Sequence, residues 1–245
     1  MKKGRIIILA VIVIIAAAFA FSPKKITYPD EVAVGREVLT EMSQRDLATV
    51  ETSISNAQKR KRANKREDLN FKQIYENAII MGDSMAMALL DYQLLNPNQV
   101  VSKRGRTVGN NEEDIAIVKG LSPQTLFLQY GLNDMPAFRG NIDGWITAYE
   151  GMINDLKEAL PATDLYVIAI TPLTSKGQSV NEYNHRYLEF NEAIKTMCER
   201  LEIKFIDPGF LVDPNDMEQY QADGIHPGYS YFPKWLSYMA DEADL

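Results

Sequence analysis

Apolar positions follow two alternating rhythms from Phe71 onward. Short runs rich in β-branched and aliphatic residues recur at Ala78–Met81, Gln99–Ser102, Thr125–Gln129, Leu165–Ile170 and Ile203–Ile206, the lengths and compositions expected of strands. Between them the spacing lengthens to the helical period. Trp145, Ile146, Tyr149, Met152, Ile153, Leu156 and Leu160 make one face of a 3.6-residue repeat. A second helical pattern runs from about Val180 to Leu201, a third from Pro233 to Ala243, and Met85–Leu90 opens a helix directly after the first strand. Strand–helix alternation of this kind predicts an α/β fold with a parallel sheet covered by helices on both faces. In such sheets sites gather beyond the carboxyl ends of the strands. Ser84, Gly105, Asn133 and Thr171-Pro172 all fall there.

The first 70 residues obey a different pattern. Lys2, Lys3 and Arg5 precede an unbroken apolar stretch from Ile6 to Phe21, and Lys24 and Lys25 follow it. A basic leader before an apolar segment reads as a secretion signal or as an anchor with its N-terminus inside. Ala18-Phe19-Ala20 offers a small-x-small cleavage site. The length and β-branching of the apolar core, and the charged segment after it, favour a retained anchor. On either reading the body lies outside the cytoplasm. Residues 1–25 are therefore assigned to the signal or anchor, 26–70 to a charged helical stalk or linker, and 71–245 to the catalytic body. The stalk ends in Lys59-Arg60-Lys61-Arg62 and Lys65-Arg66. Such a run attracts anionic headgroups or envelope polymers, but is more commonly a solvated helix face, the reading favoured for it.

Composition narrows the chemistry. The chain of 245 residues is 46% hydrophobic, enough for one full-sized core. Its net charge of −7 argues against nucleic acid as a partner. The single cysteine, Cys198, forms no intramolecular disulfide, and its neighbours Ile194, Met197 and Leu201 at helical spacing make it a buried small hydrophobe. With two histidines and no His-Glu-x-x-His pattern, neither a catalytic metal nor a cofactor is expected.

Three short motifs carry candidate chemistry. Gly82-Asp83-Ser84 follows the apolar run Asn77–Met81, which sets a hydroxyl at a strand-to-helix turn beside the free backbone N–H groups of a helix start. The competing reading is that Asp83 or Ser84 merely caps the helix. Asp223 stands three residues before His226, close enough for its carboxylate to hold Nδ1 and leave Nε2 facing a serine. His185 sits among polar residues and reads as an exposed helix residue. Asn133, after Gly131, can project an amide over the sheet's end, or can form an Asx turn. Gly105 offers a backbone N–H with no side chain in the way. Arg104 and Arg106 flank it; facing the cleft they would favour an anionic or sugar-bearing substrate, and otherwise they are solvated loop residues.

In this order the four blocks Gly82-Asp83-Ser84, Gly105, Gly131-Leu132-Asn133-Asp134 and Asp223-Gly224-Ile225-His226-Pro227 resemble those of the SGNH hydrolases, the GDSL-type esterase and lipase family. The resemblance covers about residues 71–240, and Met85 stands where the family's name-giving leucine does. It implies a flavodoxin-like three-layer α/β/α sandwich with a five-stranded parallel sheet. It also implies Ser84 as nucleophile, His226 as general base, Asp223 as its orienting partner, and an oxyanion hole from the Ser84 and Gly105 N–H groups and the Asn133 amide. Combined with location, the expectation is an extracytoplasmic, membrane-anchored carboxylic ester hydrolase with an open, lidless site. Its expected substrates are short acyl esters, chiefly acetyl, on cell-envelope carbohydrate. The alternatives are an O-acetyltransferase acting on an envelope polymer with the same triad, and a non-catalytic anchored binding module.

Overall fold

The computed structural model describes residues 47–64 and 70–245. The apolar segment 6–21 and Lys65-Arg66 lie outside them, and among the described residues no helix is long and apolar enough to cross a membrane. The chain divides into two units at residue 53, and of the first only the start of helix α1 (Leu47–Asn64) is described. In the second unit, two cations of the expected basic run are committed to protein. Lys59 Nζ donates to Tyr238 Oη at 3.0 Å, and Arg60 Nε donates to the Phe210 carbonyl at 2.6 Å.

Five strands form the sheet: β1 (Ala78–Gly82), β2 (Val100–Ser102), β3 (Thr125–Gln129), β4 (Asp164–Ile168) and β5 (Lys204–Ile206). They lie in the order β2-β1-β3-β4-β5, every pair parallel. This order reverses direction at β1, which places a crevice at the carboxyl ends of β1 and β3. The register makes that crevice level. Gly82 pairs with Ser102 on one side and Gln129 on the other, so the loops after three adjacent strands leave the sheet at one height.

Strand periodicity of two sends alternate residues into two cores. Ile79, Met81, Leu126, Leu128 and Val167 meet helices α4 (Glu112–Leu121), α6 (Ile142–Ala159) and α8 (Tyr187–Arg200). Ile80, Phe127, Ile168 and Ile206 meet α2 (Phe71–Ile74), α3 (Ser84–Asp91) and α9 (Tyr231–Glu242). The result is the α/β/α sandwich. The face read from Trp145 to Leu160 is the inner face of α6, with Trp145, Tyr149, Ile153 and Leu156 fully buried. Two four-residue helices, α5 (Asp134–Ala137) and α7 (Ser175–Gln178), lie in the loops beyond the sheet.

Several boundaries differ from the periodicity, and three have a clear local cause. Gln99 belongs to a 3-10 turn rather than β2, because its side chain accepts from Asn96 N and donates to the Lys72 carbonyl. Ile170 lies beyond β4, where the Asn191 side chain satisfies both its N–H and its C=O. The helix read from Val180 begins only at Tyr187, after a 3-10 turn over Asn184–Arg186. Asn181 Oδ1 captures the N–H groups of Tyr183 and Asn184, and this Asx geometry competes with helix. Helix α4 was not read from the periodicity. Two of its apolar residues, Ile117 and Leu121, remain exposed; the acidic first turn Glu112-Glu113-Asp114 was the available start signal.

Gly82 is the tightest point in the sheet, since a Cβ there would lie 2.4 Å from the Gln129 carbonyl oxygen. That oxygen is backbone and cannot rotate away. Gly82→Ala is therefore expected to lower folding free energy by about 1–3 kcal/mol, read as a lower urea midpoint at unchanged slope.

Candidate active site

At the end of β1 the chain turns through Asp83, whose Oδ1 accepts the Met85 N–H at 2.9 Å and so caps α3. The cap is Asp83, which leaves the Ser84 hydroxyl free for other work. Ser84 Oγ lies 2.8 Å from His226 Nε2, and His226 Nδ1 lies 2.6 Å from Asp223 Oδ2. An ionised carboxylate only accepts, so Nδ1 carries the ring proton and Nε2 is left to accept from Ser84. Asp223 Oδ1 is occupied separately by the N–H groups of Ile225 (2.9 Å) and His226 (3.0 Å). Burial works to raise the Asp223 pKa, but the imidazole and these two N–H groups outweigh it and hold the carboxyl below its ordinary value.

The loop bearing Asp223 and His226 is stiffened along its length. Gln221 N donates to the His226 carbonyl at 2.7 Å and Gly228 N to the Gln219 carbonyl at 2.8 Å, around an antiparallel bridge between Tyr220 and Pro227. Gly224 turns the chain at φ +71°, a left-handed conformation that favours glycine. Its carbonyl accepts from both the N (3.1 Å) and Oγ1 (2.8 Å) of Thr174. Lys176 Nζ donates to the Ala222 carbonyl at 2.6 Å. Thr174 and Lys176, from the segment around α7, thus fix the histidine loop from behind.

Asn133 reaches the same place from the β3 side. Its Nδ2 donates to Asp83 Oδ2 at 3.0 Å, which uses one of two amide hydrogens and leaves the other to point elsewhere. The turn is held by Asp134, whose oxygens accept from Gly131 N (2.9 Å) and Val108 N (2.8 Å). Both carboxylates are fully buried. Burial pushes Asp83 up to about 7 against the opposing Met85 N–H, with Asp134 adding repulsion, and burial pushes Asp134 up to about 6.

Ser84, Gly105, Asn133, Asp223 and His226 line one cleft of about 540 Å³, together with Ala88, Asp91, Tyr92, Arg104 and Gln221. Gly105 has φ +78° and empty space where a Cβ would sit, so its backbone conformation rather than crowding calls for glycine. The flanking arginines part company. Arg104 lines the cleft; Arg106 is tied to Asp114 (2.6 Å), Glu113 (2.9 Å) and the Asn110 carbonyl (2.9 Å), at the side of α4. Of the two readings offered for Arg106, substrate contact or a solvated loop residue, neither holds: it is largely buried in an ion-pair network and does not line the cleft. His185 is exposed in the 3-10 turn before α8, away from the cleft. Asp83 takes the capping role that the sequence offered to it or to Ser84, whereas its bond to Asn133 and the roles of Asp134 and Thr174 had no assignment from sequence. Their signal was only that each sits beside a recognised block or strand end.

An acceptor-oriented imidazole on a hydroxyl, beside a half-engaged amide and two small-residue backbone turns, is equipped for attack on a carbonyl and capture of the resulting oxyanion. Both the sequence and the fold resemble known proteins. Residues 81–230 match the sequence model of the GDSL-like lipase/acylhydrolase family. A GDSL-like lipase from Bacteroides thetaiotaomicron superposes with a TM-score of 0.54 at 16% identity, covering 69% of this chain and 88% of that one. A carbohydrate esterase family 3 protein from Talaromyces cellulolyticus gives 0.51 at 18% identity, covering 68% and 95%. A peptidoglycan O-acetylesterase gives 0.50 at 15% identity, covering 58% and 44%. At these identities the likeness is one of fold. No curated protein sequence matches the chain significantly.

The raised Asp83 pKa gives a stability prediction. Its ordinary value is 3.8, against about 7 in the fold, so the folded state binds its proton more tightly. The corresponding stability is present in full below about pH 4 and is lost as pH rises through 7. Asp83→Asn carries no such titration. Denaturation from pH 4 to pH 8 is expected to show the variant gaining on wild type as pH rises; a constant difference across that range would count against a buried, titrating Asp83.

Proposed function

The chain belongs to the GDSL-like lipase/acylhydrolase family and is a carboxylic ester hydrolase, and from that premise we propose a serine esterase that removes short acyl groups, chiefly acetyl, from cell-envelope carbohydrate outside the cytoplasm. The observation that carries the catalytic part is the relay from Ser84 Oγ through His226 to Asp223, at 2.8 and 2.6 Å. Ser84 attacks the ester carbonyl as His226 Nε2 takes its proton. The oxyanion is met by the Ser84 and Gly105 N–H groups and by the second Asn133 amide hydrogen. His226 returns the proton to the leaving alcohol, and water repeats the sequence on the acyl-enzyme.

The lining of the cleft supports a short acyl group on a polar alcohol. Ligand pockets are mostly apolar, yet here Ala88 and the Tyr92 ring are the main apolar surfaces among polar side chains. A long acyl chain would find little to bury against. The fold neighbours include a carbohydrate esterase and a peptidoglycan O-acetylesterase, which is in keeping with a sugar ester. Location rests on the leader and apolar stretch from Lys2 to Phe21.

Ser84→Ala is expected to cost at least ~10³-fold in kcat at unchanged melting temperature, and Asp223→Asn about 10²–10⁴-fold, whereas His185→Ala stays at wild-type rate. Within a p-nitrophenyl ester series, activity should peak at acetyl or propionyl and fall steeply beyond butyryl. A maximum at octanoyl or longer would falsify the short-acyl assignment. The full chain should also sediment with membranes and resist carbonate extraction; recovery of a soluble form beginning after Ala20 would instead identify a cleaved signal.

A further inference from the structure

Helix α3 carries more than the nucleophile. Ser84, Ala88 and Asp91 recur at i, i+4 and i+7, so they share one helix face, and all three line the cleft. At 1.5 Å per residue that face extends ~10 Å from the hydroxyl. Its middle is a methyl group, so it forms an open trough leading away from the reacting carbon. Asp91, its ion-pair partner Arg104 and the adjoining Tyr92 stand at that end, and Gln221 lines the same cleft from the histidine loop. None of these is used by the chemical step.

Tyr92 is fixed there. It ends α3, and its ring packs edge-on against Tyr229 at 5.2 Å and 82° and tilted against Phe232 at 5.2 Å. Tyr229, three residues past His226, is itself 54% exposed. The aromatic surface beside the trough is thus held by rings from the histidine loop and α9. An electron-rich ring face attracts the C–H-bearing face of a sugar. In the same cleft, Arg104 Nη2 meets Asp91 Oδ2 at 3.3 Å, with side chains 72% and 52% exposed. An exposed single-contact pair of this sort is worth at most ~1 kcal/mol. It is readily exchanged for substrate hydroxyls, with Arg104 donating and Asp91 accepting. The Gln221 amide, which supplies both a donor and an acceptor, has no side-chain partner among the described residues.

The charges decide which sugar. Two arginines facing the cleft would have favoured an anion. Arg106 is instead bound to Asp114 and Glu113, and Arg104 is balanced by Asp91. No net positive charge is left for a carboxylate. We propose that Tyr92, Asp91, Arg104 and Gln221 form a subsite for a neutral sugar, which holds the alcohol half of the ester while its acyl group lies at Ser84. The proposal rests on the ester-hydrolase reading for its placement, but its binding prediction does not require turnover.

Two measurements separate the two. Titration calorimetry on full-chain Ser84→Ala protein uses 6-O-acetyl-N-acetylglucosamine as probe. Adding Arg104→Ala with Asp91→Ala, a charge-neutral change, is expected to weaken binding about tenfold, equivalent to ~1.4 kcal/mol. Tyr92→Leu should do the same while keeping the apolar contact with Phe232, and Tyr92→Phe should restore binding. With Ser84 present, the ratio of kcat/KM for that sugar ester to kcat/KM for p-nitrophenyl acetate should fall about tenfold in the same variants through KM, and stay constant in His185→Ala. Sugar binding unchanged in every variant, or a selectivity ratio unmoved by them, overturns the subsite. A tenfold wild-type preference for an acetylated glucuronic acid overturns its neutrality. If p-nitrophenyl acetate is inert while the calorimetric pattern appears, the subsite stands and the hydrolase assignment falls.

Discussion

One buried carboxylate joins the two halves of the site. Asp83 places one oxygen on the Met85 N–H and the other on the Asn133 amide, and so links the start of α3 to the loop after β3. Burying a carboxylate is costly, and its upward-shifted pKa records that cost. The cost is offset in part because each oxygen meets a donor that needs fixing. Met85 N is one of the unpaired groups at a helix start. In the proposed mechanism the Asn133 amide must be aimed before a substrate arrives, since an oxyanion donor that has to reorganise during the reaction is worth far less. Gly82 makes the junction possible by letting β1 close on β3 where a side chain would strike the Gln129 carbonyl.

The same constraint explains what could be read in the sequence. Strand runs were legible because the sheet is buried on both faces, so apolar residues mark the strands throughout, and β3 agrees end for end. Ser84 and Asn133 were legible because they follow strands directly, and Asp223 and His226 because a spacing of three brings a carboxylate to an imidazole. What escaped were contacts between distant segments. Nothing near Thr174 announces that its hydroxyl and N–H hold the Gly224 carbonyl, fifty residues away along the chain. Nothing near Arg106 announces that Asp114 will claim it. Side-chain amides were the other blind spot: Asn181, Asn191 and Gln99 each replace backbone partners locally, and so move element ends that hydrophobic periodicity alone would extend.

The proposed acyl and alcohol sides of the cleft are built by different logics. The acyl side is made of backbone turns and groups with few rotatable bonds, pinned by Asp83, Asp134 and Thr174 from beneath. It tolerates little movement, because attack and oxyanion capture depend on reacting groups being aligned within fractions of an ångström. The alcohol side is made of long, exposed side chains in a weak pair beside an anchored ring. In the proposed subsite such groups supply selectivity without being part of the bond-making geometry.

That division bears on how the family's chemistry is redirected. Helix α3 begins with Ser84, the proposed nucleophile, and ends at the rim of the cleft, so residues four and seven positions on alter the trough without touching the relay. Ala88 sets its depth and Asp91 its charge. A larger residue at 88 would shorten the trough, and a neutral one at 91 would leave Arg104 unbalanced and draw anions to the site. The catalytic geometry would survive either change, because Ser84 is fixed from the strand side by Gly82 and Asp83. On the proposed reading, substrate choice is thus written on the outer turns of the same helix that presents the serine.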